Sequence, residues 1–153
     1  EKNTVDLNLN QNIKMDSNVL NLTEFRWNPF ESTIYGMYHG TVYIDSDYYL
    51  IGTDDQGNKI CYQETGRNGQ ETMFRQTIGL YPGYEEISPE ANTITLQLYE
   101  VKNDTAHQVS EEKMDKDPSD DIYEESTTYV YDGGESPIDS AIPIGDNLTI
   151  QIR

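Results

Sequence analysis

The sequence predicts an all-β protein, an antiparallel sandwich or barrel of about seven to nine short strands. Three observations predict this class. Apolar and polar residues alternate in several separate stretches, helical periodicity is nearly absent, and turn-forming residues fall between the alternating stretches. A chain of 153 residues fits one domain of common size, so we expect residues 1–153 to form a single domain.

The first strands are expected between residues 4 and 44. Residues 4–9, TVDLNL, alternate strictly and place their apolar side chains on one face. Residues 19–25, VLNLTEF, alternate until Phe25, which breaks the pattern and indicates a β-bulge. Residues 33–44 are rich in β-branched and aromatic side chains, and Gly36 is a further candidate bulge point.

The next stretch, YYLIGTDDQGNKICYQ at 48–63, fits either a β-hairpin or a calcium-binding loop. A calcium loop of the helix-loop-helix kind needs a glutamate at its twelfth position, and counting from Asp54 puts Thr65 there. No helical pattern flanks the loop. We therefore predict a hairpin with a type I turn, in which Gly57 takes the left-handed conformation of a bulge.

Two strands follow near the C-terminal side. Residues 93–101, TITLQLYEV, give the cleanest alternation in the chain, and residues 147–153, NLTIQIR, repeat it. We expect the inward-facing apolar residues of all these strands to form the core: Val5, Leu7, Leu20, Leu22, Ile34, Leu50, Ile60, Ile94, Leu96, Leu98, Leu148, Ile150 and Ile152.

Residues 102–126 differ from the rest of the chain because they are polar and dense in charge. Thirteen acidic and three basic residues lie between Glu100 and Asp139. The composition predicts one long acidic loop between two strands. Its DKDPSDD run is the best calcium candidate, since carboxylate oxygens are dense there. The candidate ligands are Asp115, Asp117, Asp120 and Asp121.

The charge balance excludes several classes of partner. The formal net charge is −18, so phosphate backbones and anionic membrane surfaces would be repelled, and we expect no nucleic-acid binding. No apolar run is long enough to span a bilayer. Cys61 is the single cysteine, which excludes an internal disulfide, and its place in an alternating stretch indicates a buried strand residue.

Catalytic patterns are missing from the sequence, so we do not expect an enzyme. The two histidines, His39 and His107, are not accompanied by a glycine-flanked nucleophile or a phosphate-binding loop. Paired carboxylates for glycoside hydrolysis must face each other across a cleft, a separation that sequence does not give. Aromatics are plentiful and allow either sheet packing or a sugar-binding platform: Trp27, Tyr48, Tyr49, Tyr62, Tyr81 and Tyr84.

The order of segments resembles the extracytoplasmic immunoglobulin-like domains of Gram-positive bacterial proteins, some of which carry an anti-sigma-factor-like cytoplasmic segment. The resemblance rests on NVLNLTEFRW, TIYGMYHG, LIGTDDQGNKI and FRQTIGLYPGYEEISPEANTITLQLYEV, in that order, with NLTIQIR as a closing strand. It spans about residues 5–101 and the last strand. It implies an immunoglobulin-like antiparallel β-sandwich, and it brings no catalytic residues.

The same resemblance implies a function class. It predicts a non-enzymatic interaction or sensing module on the extracytoplasmic side of a membrane-anchored protein, with a protein partner or cell-surface ligand. The members with an anti-sigma-factor-like segment extend this expectation to a link with sigma-factor regulation. The alternative is a carbohydrate- or calcium-binding module of a secreted protein. The chain begins at Glu1 without a methionine or a leader, which predicts either a removed leader or an excised domain.

Overall fold

The computed structural model of the protein describes residues 4–40, 46–102, 106–110, 127–131 and 136–153. A short 3-10 turn, Pro137–Ser140, precedes the last strand. The strands in chain order are β1 Val5–Lys14, β2 Asn18–Trp27, β3 Ser32–Gly40, β4 Ser46–Asp54, β5 Lys59–Asn68, β6 Glu71–Gln76, β7 Thr93–Lys102, β8 Ala106–Ser110, β9 Thr127–Tyr131 and β10 Ile142–Gln151.

The main sheet has eight antiparallel strands in the order β1-β2-β3-β6-β5-β4-β7-β10, and β8 pairs with β9 in a separate two-stranded sheet. The main sheet is nearly barrel-shaped, since its two edge strands approach each other. A Cβ atom built on Gly145 of β10 would lie 3.2 Å from a side-chain carbon of Ile13 in β1. The all-β prediction is confirmed, and hydrogen bonds run through the sheet from β1 to β10.

The two ends of this near-barrel differ. One end carries the β2–β3 and β4–β5 turns, and residues 77–92, which join β6 to β7, lie against it. Ile87 and Ala91 of this connection are buried in the core, so it covers the apolar interior. We call residues 77–92 the capping segment and this end the capped end. The opposite end, with the β1–β2 and β5–β6 turns, is the open end.

The core follows the predicted alternation closely. Every predicted core residue is buried except Val5 and Leu7, which are half-buried and pack against the core at the β1 edge. Both lie in the first half of β1, before the register shift between Asn8 and Gln11, whereas Ile13 beyond that shift is buried. Several buried residues were not predicted: Ile13, Met15, Phe25, Tyr38, Tyr48, Tyr62, Phe74, Ile87 and Ala91.

The bulge predicted from Phe25 is confirmed. The register of β2 against β3 shifts between Leu22 and Glu24, so Leu22 and Phe25 both reach the interior although an odd number of positions separates them. Gly36 of β3 lies opposite Leu22, and a Cβ atom there would come within 3.0 Å of the Asn21 carbonyl oxygen. The glycine therefore leaves room for the bulged strand.

The long-loop prediction for residues 102–126 is wrong in part. β7 extends to Lys102, and residues 106–110 form β8, which pairs antiparallel with β9. The partner sequence, TTYVY at 127–131, is β-branched and aromatic, and this is what favours a strand pair over a loop. Residues 111–126 lie outside the described residues.

Sequence alternation also missed the hairpin of β5 and β6. Only residues up to 63 were predicted as strand there, yet β5 continues to Asn68 and turns through Gly69, which has φ 64°, into β6. This stretch is polar, so it carries no alternation of apolar residues. A two-residue loop that begins with a left-handed glycine matches the right-handed twist of the flanking strands.

Among the described glycines, Gly52 leaves the least room between its position and a neighbouring backbone, and we expect Gly52→Ala to destabilise the protein. A Cβ atom there would lie 1.7 Å from the Thr95 carbonyl oxygen of β7, so the two paired strands would have to move apart. Overpacking of this kind costs about 3 kcal/mol. The matched control is Gly66→Ala, whose added atom meets only Met73 at 3.5 Å. Urea unfolding of both variants would contradict this account if their losses were equal.

Candidate functional site

The Asp54–Asn58 turn is a hairpin turn, as predicted. β4 pairs with β5, Gly57 has φ 90°, and its amide donates to the Asp54 carbonyl at 3.3 Å. The Asp54 side chain is buried and fully engaged within the protein. Its Oδ1 accepts from the backbone amides of Gln56 and Asn58 at 2.9 Å each, and its Oδ2 accepts from the Asn58 side chain at 3.0 Å.

The same carboxylate also holds the capping segment. Oδ2 of Asp54 accepts from the Ser88 amide at 2.9 Å. Burial acts to raise the pKa of the Asp54 carboxyl, but the hydrogen bonds from Ser88, Asn58 and Gln56 favour the charged form and outweigh it, so the pKa lies below its ordinary value. Asp54 is thus a structural anchor, and its oxygens are not available to a calcium ion.

Asp55 continues this attachment on the exposed side of the turn. Both of its carboxylate oxygens accept from the Asn92 amide, at 3.2 and 3.1 Å, and its own amide donates to the Thr93 carbonyl. Glu85 is tied to β5 as well, because its amide donates to the Lys59 carbonyl at 2.8 Å. The capping segment is therefore fixed at both its middle and its end.

Near the open end, a second carboxylate lies inside the sheet. Glu64 of β5 accepts hydrogen bonds from Tyr38 and Arg67, and from the Thr72 hydroxyl at 2.6 Å. Burial acts to lower the pKa of Arg67, but Glu64 outweighs it and the pKa is raised. Arg67 also donates to the Ser46 carbonyl, which joins β5 to the start of β4. An ion pair with this many partners within the protein, in which Glu64 is more buried than Arg67, helps to hold the strands together.

Two tyrosines accompany that ion pair. The guanidinium of Arg67 lies 5.1 Å from the Tyr38 ring centroid and 5.8 Å from that of Tyr48. Tyr48 donates to Glu100 at 3.1 Å. Burial, and then the neighbouring glutamate, raise the pKa of each tyrosine well above its usual range, so both hydroxyls stay protonated as donors. Beyond them the open end has a wide cleft of about 870 Å³, whose lining mixes lysine with acidic residues.

The outer face of β4, β5 and β7 carries a second apolar cluster. Tyr49, Cys61 and Val101 are buried there beneath partly buried side chains of the capping segment and of residues 136–141. Burial raises the pKa of the Cys61 thiol to about 11, and a buried protonated thiol is unreactive. The prediction that Cys61 is a buried strand residue is confirmed. The covering residues are Ile51, Tyr81, Tyr84, Tyr99, Ile138 and Ala141.

Most of the predicted aromatic platform is inside the protein. Tyr48, Tyr49 and Tyr62 are buried, so they cannot stack on a ligand. Tyr81 and Tyr84 stay half-buried and line a groove of about 500 Å³ with Leu80, Pro82 and residues 136–139. Tyr81 packs edge-on against Tyr49 at 6.2 Å between ring centroids, which fixes its orientation. Trp27 lies at the capped end, away from this groove.

Sequence reasoning missed a surface at the capped end. The WNPF stretch forms a tight turn in which Asn28 Oδ1 accepts from the amides of Phe30 at 2.8 Å and Glu31 at 2.9 Å, while the Asn28 amide donates to the Glu31 carbonyl. Phe30 is 96% exposed at this turn, and Ile78 of the capping segment is 56% exposed. Both line one groove of about 340 Å³.

The four aspartates proposed as calcium ligands, Asp115, Asp117, Asp120 and Asp121, lie outside the described residues, so that hypothesis stays a prediction. Within the ranges that the structure describes, no three His, Cys, Asp or Glu side chains come together as metal ligands would. Among those same residues no helix is long and apolar enough to cross a membrane. His39 is exposed at the end of β3.

Comparison with known proteins gives no relative for this arrangement. The chain matches no family model, no curated protein sequence and no solved structure. The resemblance to extracytoplasmic immunoglobulin-like domains therefore stays a prediction, and the candidate surfaces are argued from their own geometry.

We expect Asp54→Asn to lower the free energy of unfolding at pH 7 by about 2 kcal/mol, because it removes charge-assisted hydrogen bonds from backbone amides of the turn and the capping segment. The pKa of Asp54 is lowered by folding, so its contribution is present above the ordinary aspartate pKa of about 4 and is lost as pH falls through the folded-state value. The difference between wild type and variant should therefore shrink on acidification.

Urea unfolding followed by Trp27 fluorescence at pH 7 and at pH 3 measures this difference. The exposed Asp146→Asn is the matched control, with little change expected at either pH. A deficit of Asp54→Asn that grows in acid would contradict the structural role assigned to Asp54.

Proposed function

We propose that the protein is a non-enzymatic interaction or sensing module on the extracytoplasmic side of a membrane-anchored protein. The observation that carries the proposal is the exposed apolar surface of Phe30 and Ile78, held on a hydrogen-bonded turn and on the fixed capping segment. Such a surface adds nothing to folding, and exposed apolar side chains grouped on a rigid element mark interaction sites.

The internal polar groups also support a binding role over catalysis. Asp54 is buried and Glu64 is partly buried, and the hydrogen-bond partners of both carboxylates belong to the protein itself. A catalytic carboxylate needs a lone pair that faces substrate. The net charge of −18 supports a basic protein partner over a nucleic acid.

The immunoglobulin-like sandwich is the finer part of the fold proposal. It is supported by the apolar interior, which is filled by side chains from both halves of the curved main sheet. A sandwich keeps open edge strands, whereas a closed barrel has none. An experimental structure distinguishes them by whether β1 and β10 are hydrogen bonded to each other.

Cell fractionation tests the location and the context. An antibody to this domain should detect a membrane-bound band heavier than 17.5 kDa, and protease added to intact cells should remove the epitope. A protease-protected band inside the cell would contradict the extracytoplasmic proposal. A band near that mass in the culture medium would favour a secreted module instead. The second candidate function would then be preferred to the first.

That second candidate is carbohydrate binding, favoured by the groove of Tyr81 and Tyr84. Two half-exposed rings beside the exposed carboxylate of Asp139 combine a stacking surface with a hydrogen-bond acceptor, as sugar sites do. Affinity electrophoresis in gels that contain soluble glucan, mannan or peptidoglycan fragments tests it. We expect retardation that Tyr84→Ala and Asp139→Ala abolish and Phe30→Ala leaves unchanged. Absence of retardation in every gel removes this function.

A further inference from the structure

The apolar surface at the capped end is preformed. We call it the Phe30 patch: Phe30 and Ile78 on the outside, and the groove between them, whose wall includes Trp27, Ile87 and Pro89. Asparagine at the first position and proline at the second are favoured in the commonest β-turns, so the sequence itself favours the turn that carries Phe30. Little conformational entropy is lost when such a side chain binds.

The walls of the groove are also fixed. Ile87 is buried in the core, and the segment that carries it is attached to the Asp54 turn through the Ser88 amide. On the opposite wall, Ser32 is hydrogen bonded to Tyr62, and the Gln76 side chain donates to the Glu85 carbonyl at 3.0 Å. A groove of about 340 Å³ with such fixed walls is suited to one or two apolar side chains of a partner.

The charge around the patch is acidic. Glu31 and Glu86 line the groove, and Glu85 and Glu90 are exposed on the same segment as Glu86. In the part of the chain that the structure describes, no lysine or arginine forms a salt bridge with these glutamates. Two cations are near these glutamates: Arg153 lies 5.8 Å from the Trp27 ring centroid, and the backbone of Lys59 is hydrogen bonded to that of Glu85.

This acidic charge distinguishes two candidate occupants of the patch, a second copy of this chain and a partner with basic residues. In a second copy of this chain, the glutamates around one patch would face those around the other, and like charges at an interface cost free energy. A partner with lysine or arginine beside an apolar side chain meets the opposite potential. Association with such a partner is steered by charge and anchored by the apolar contact.

We infer that the Phe30 patch binds a protein segment that carries an aromatic or large aliphatic side chain next to lysine or arginine. The apolar side chain enters the groove against Trp27 and Pro89, and the cation pairs with Glu31 or Glu86. Phe30 packs on the outside of the bound segment. The inference rests on the proposed interaction function and names the site and the class of partner.

Selection from a random peptide library displayed on phage tests this inference, with the whole chain as bait. We expect enriched peptides to combine an aromatic or aliphatic residue with lysine or arginine. Synthetic copies should bind Phe30→Ser at least about tenfold more weakly than wild type, since a central aromatic contact is lost. Raising the salt concentration and Glu31→Gln with Glu86→Gln should each weaken binding through the lost charge attraction.

The matched control is Leu80→Ser, because Leu80 is 61% exposed and lies in the other groove. Neither exposed substitution should alter the unfolding transition. Peptides that bind Phe30→Ser as tightly as wild type overturn the patch assignment and leave the interaction function standing. A selection that enriches no peptide overturns the inference. The interaction function is then judged separately, by the result of the cell fractionation. A dimer in sedimentation that Phe30→Ser dissociates would make a second copy the occupant and also overturn it.

Discussion

One carboxylate, that of Asp54, connects the parts of the protein on which the rest of the fold depends. It closes the β4–β5 turn through Gln56 and Asn58, and it holds the capping segment through Ser88. The capping segment in turn brings Ile87 and Ala91 over the end of the core. Because one buried carboxylate accepts from backbone amides of both the turn and the capping segment, the turn, the cap and the core are stabilised together.

The central strands are buried on both faces, and this decides what the aromatic residues do. Inward residues of β4, β5 and β7 form the core, while Tyr49, Cys61 and Val101 on the outer face are covered by the capping segment and by residues 136–141. A sheet covered on two sides uses its tyrosines for packing. Aromatic side chains that stay partly accessible include Tyr81 and Tyr84, where the covering segments end, and Tyr35 on β3, while Phe30 is exposed at its turn.

How much the sequence predicts depends on what each strand buries. β7 was predicted well because Ile94, Leu96 and Leu98 enter an apolar interior, and the Phe25 bulge was readable because it interrupts such a pattern. The end of β5 was missed because its inward residue is Glu64, whose burial depends on partners from other strands. The Phe30 patch was also missed. The turn of WNPF is a local property that the proline reveals, but the exposure of a side chain depends on what packs over it in three dimensions.

The pairing of β7 has a consequence for the rate of folding. This strand joins β4 and β10, and both neighbours are far away in sequence: Tyr48 reaches Glu100 across 52 positions, and Thr95 reaches Thr149 across 54. Each pairing closes a long loop of chain before its hydrogen bonds and apolar contacts can compensate for the lost entropy. Sheets with such non-local pairing fold in milliseconds to seconds, far more slowly than helical proteins of the same length. Until β7 and β10 pair, their apolar side chains stay exposed to solvent. The dense acidic charge between the two strands in the sequence repels other incompletely folded chains during that interval.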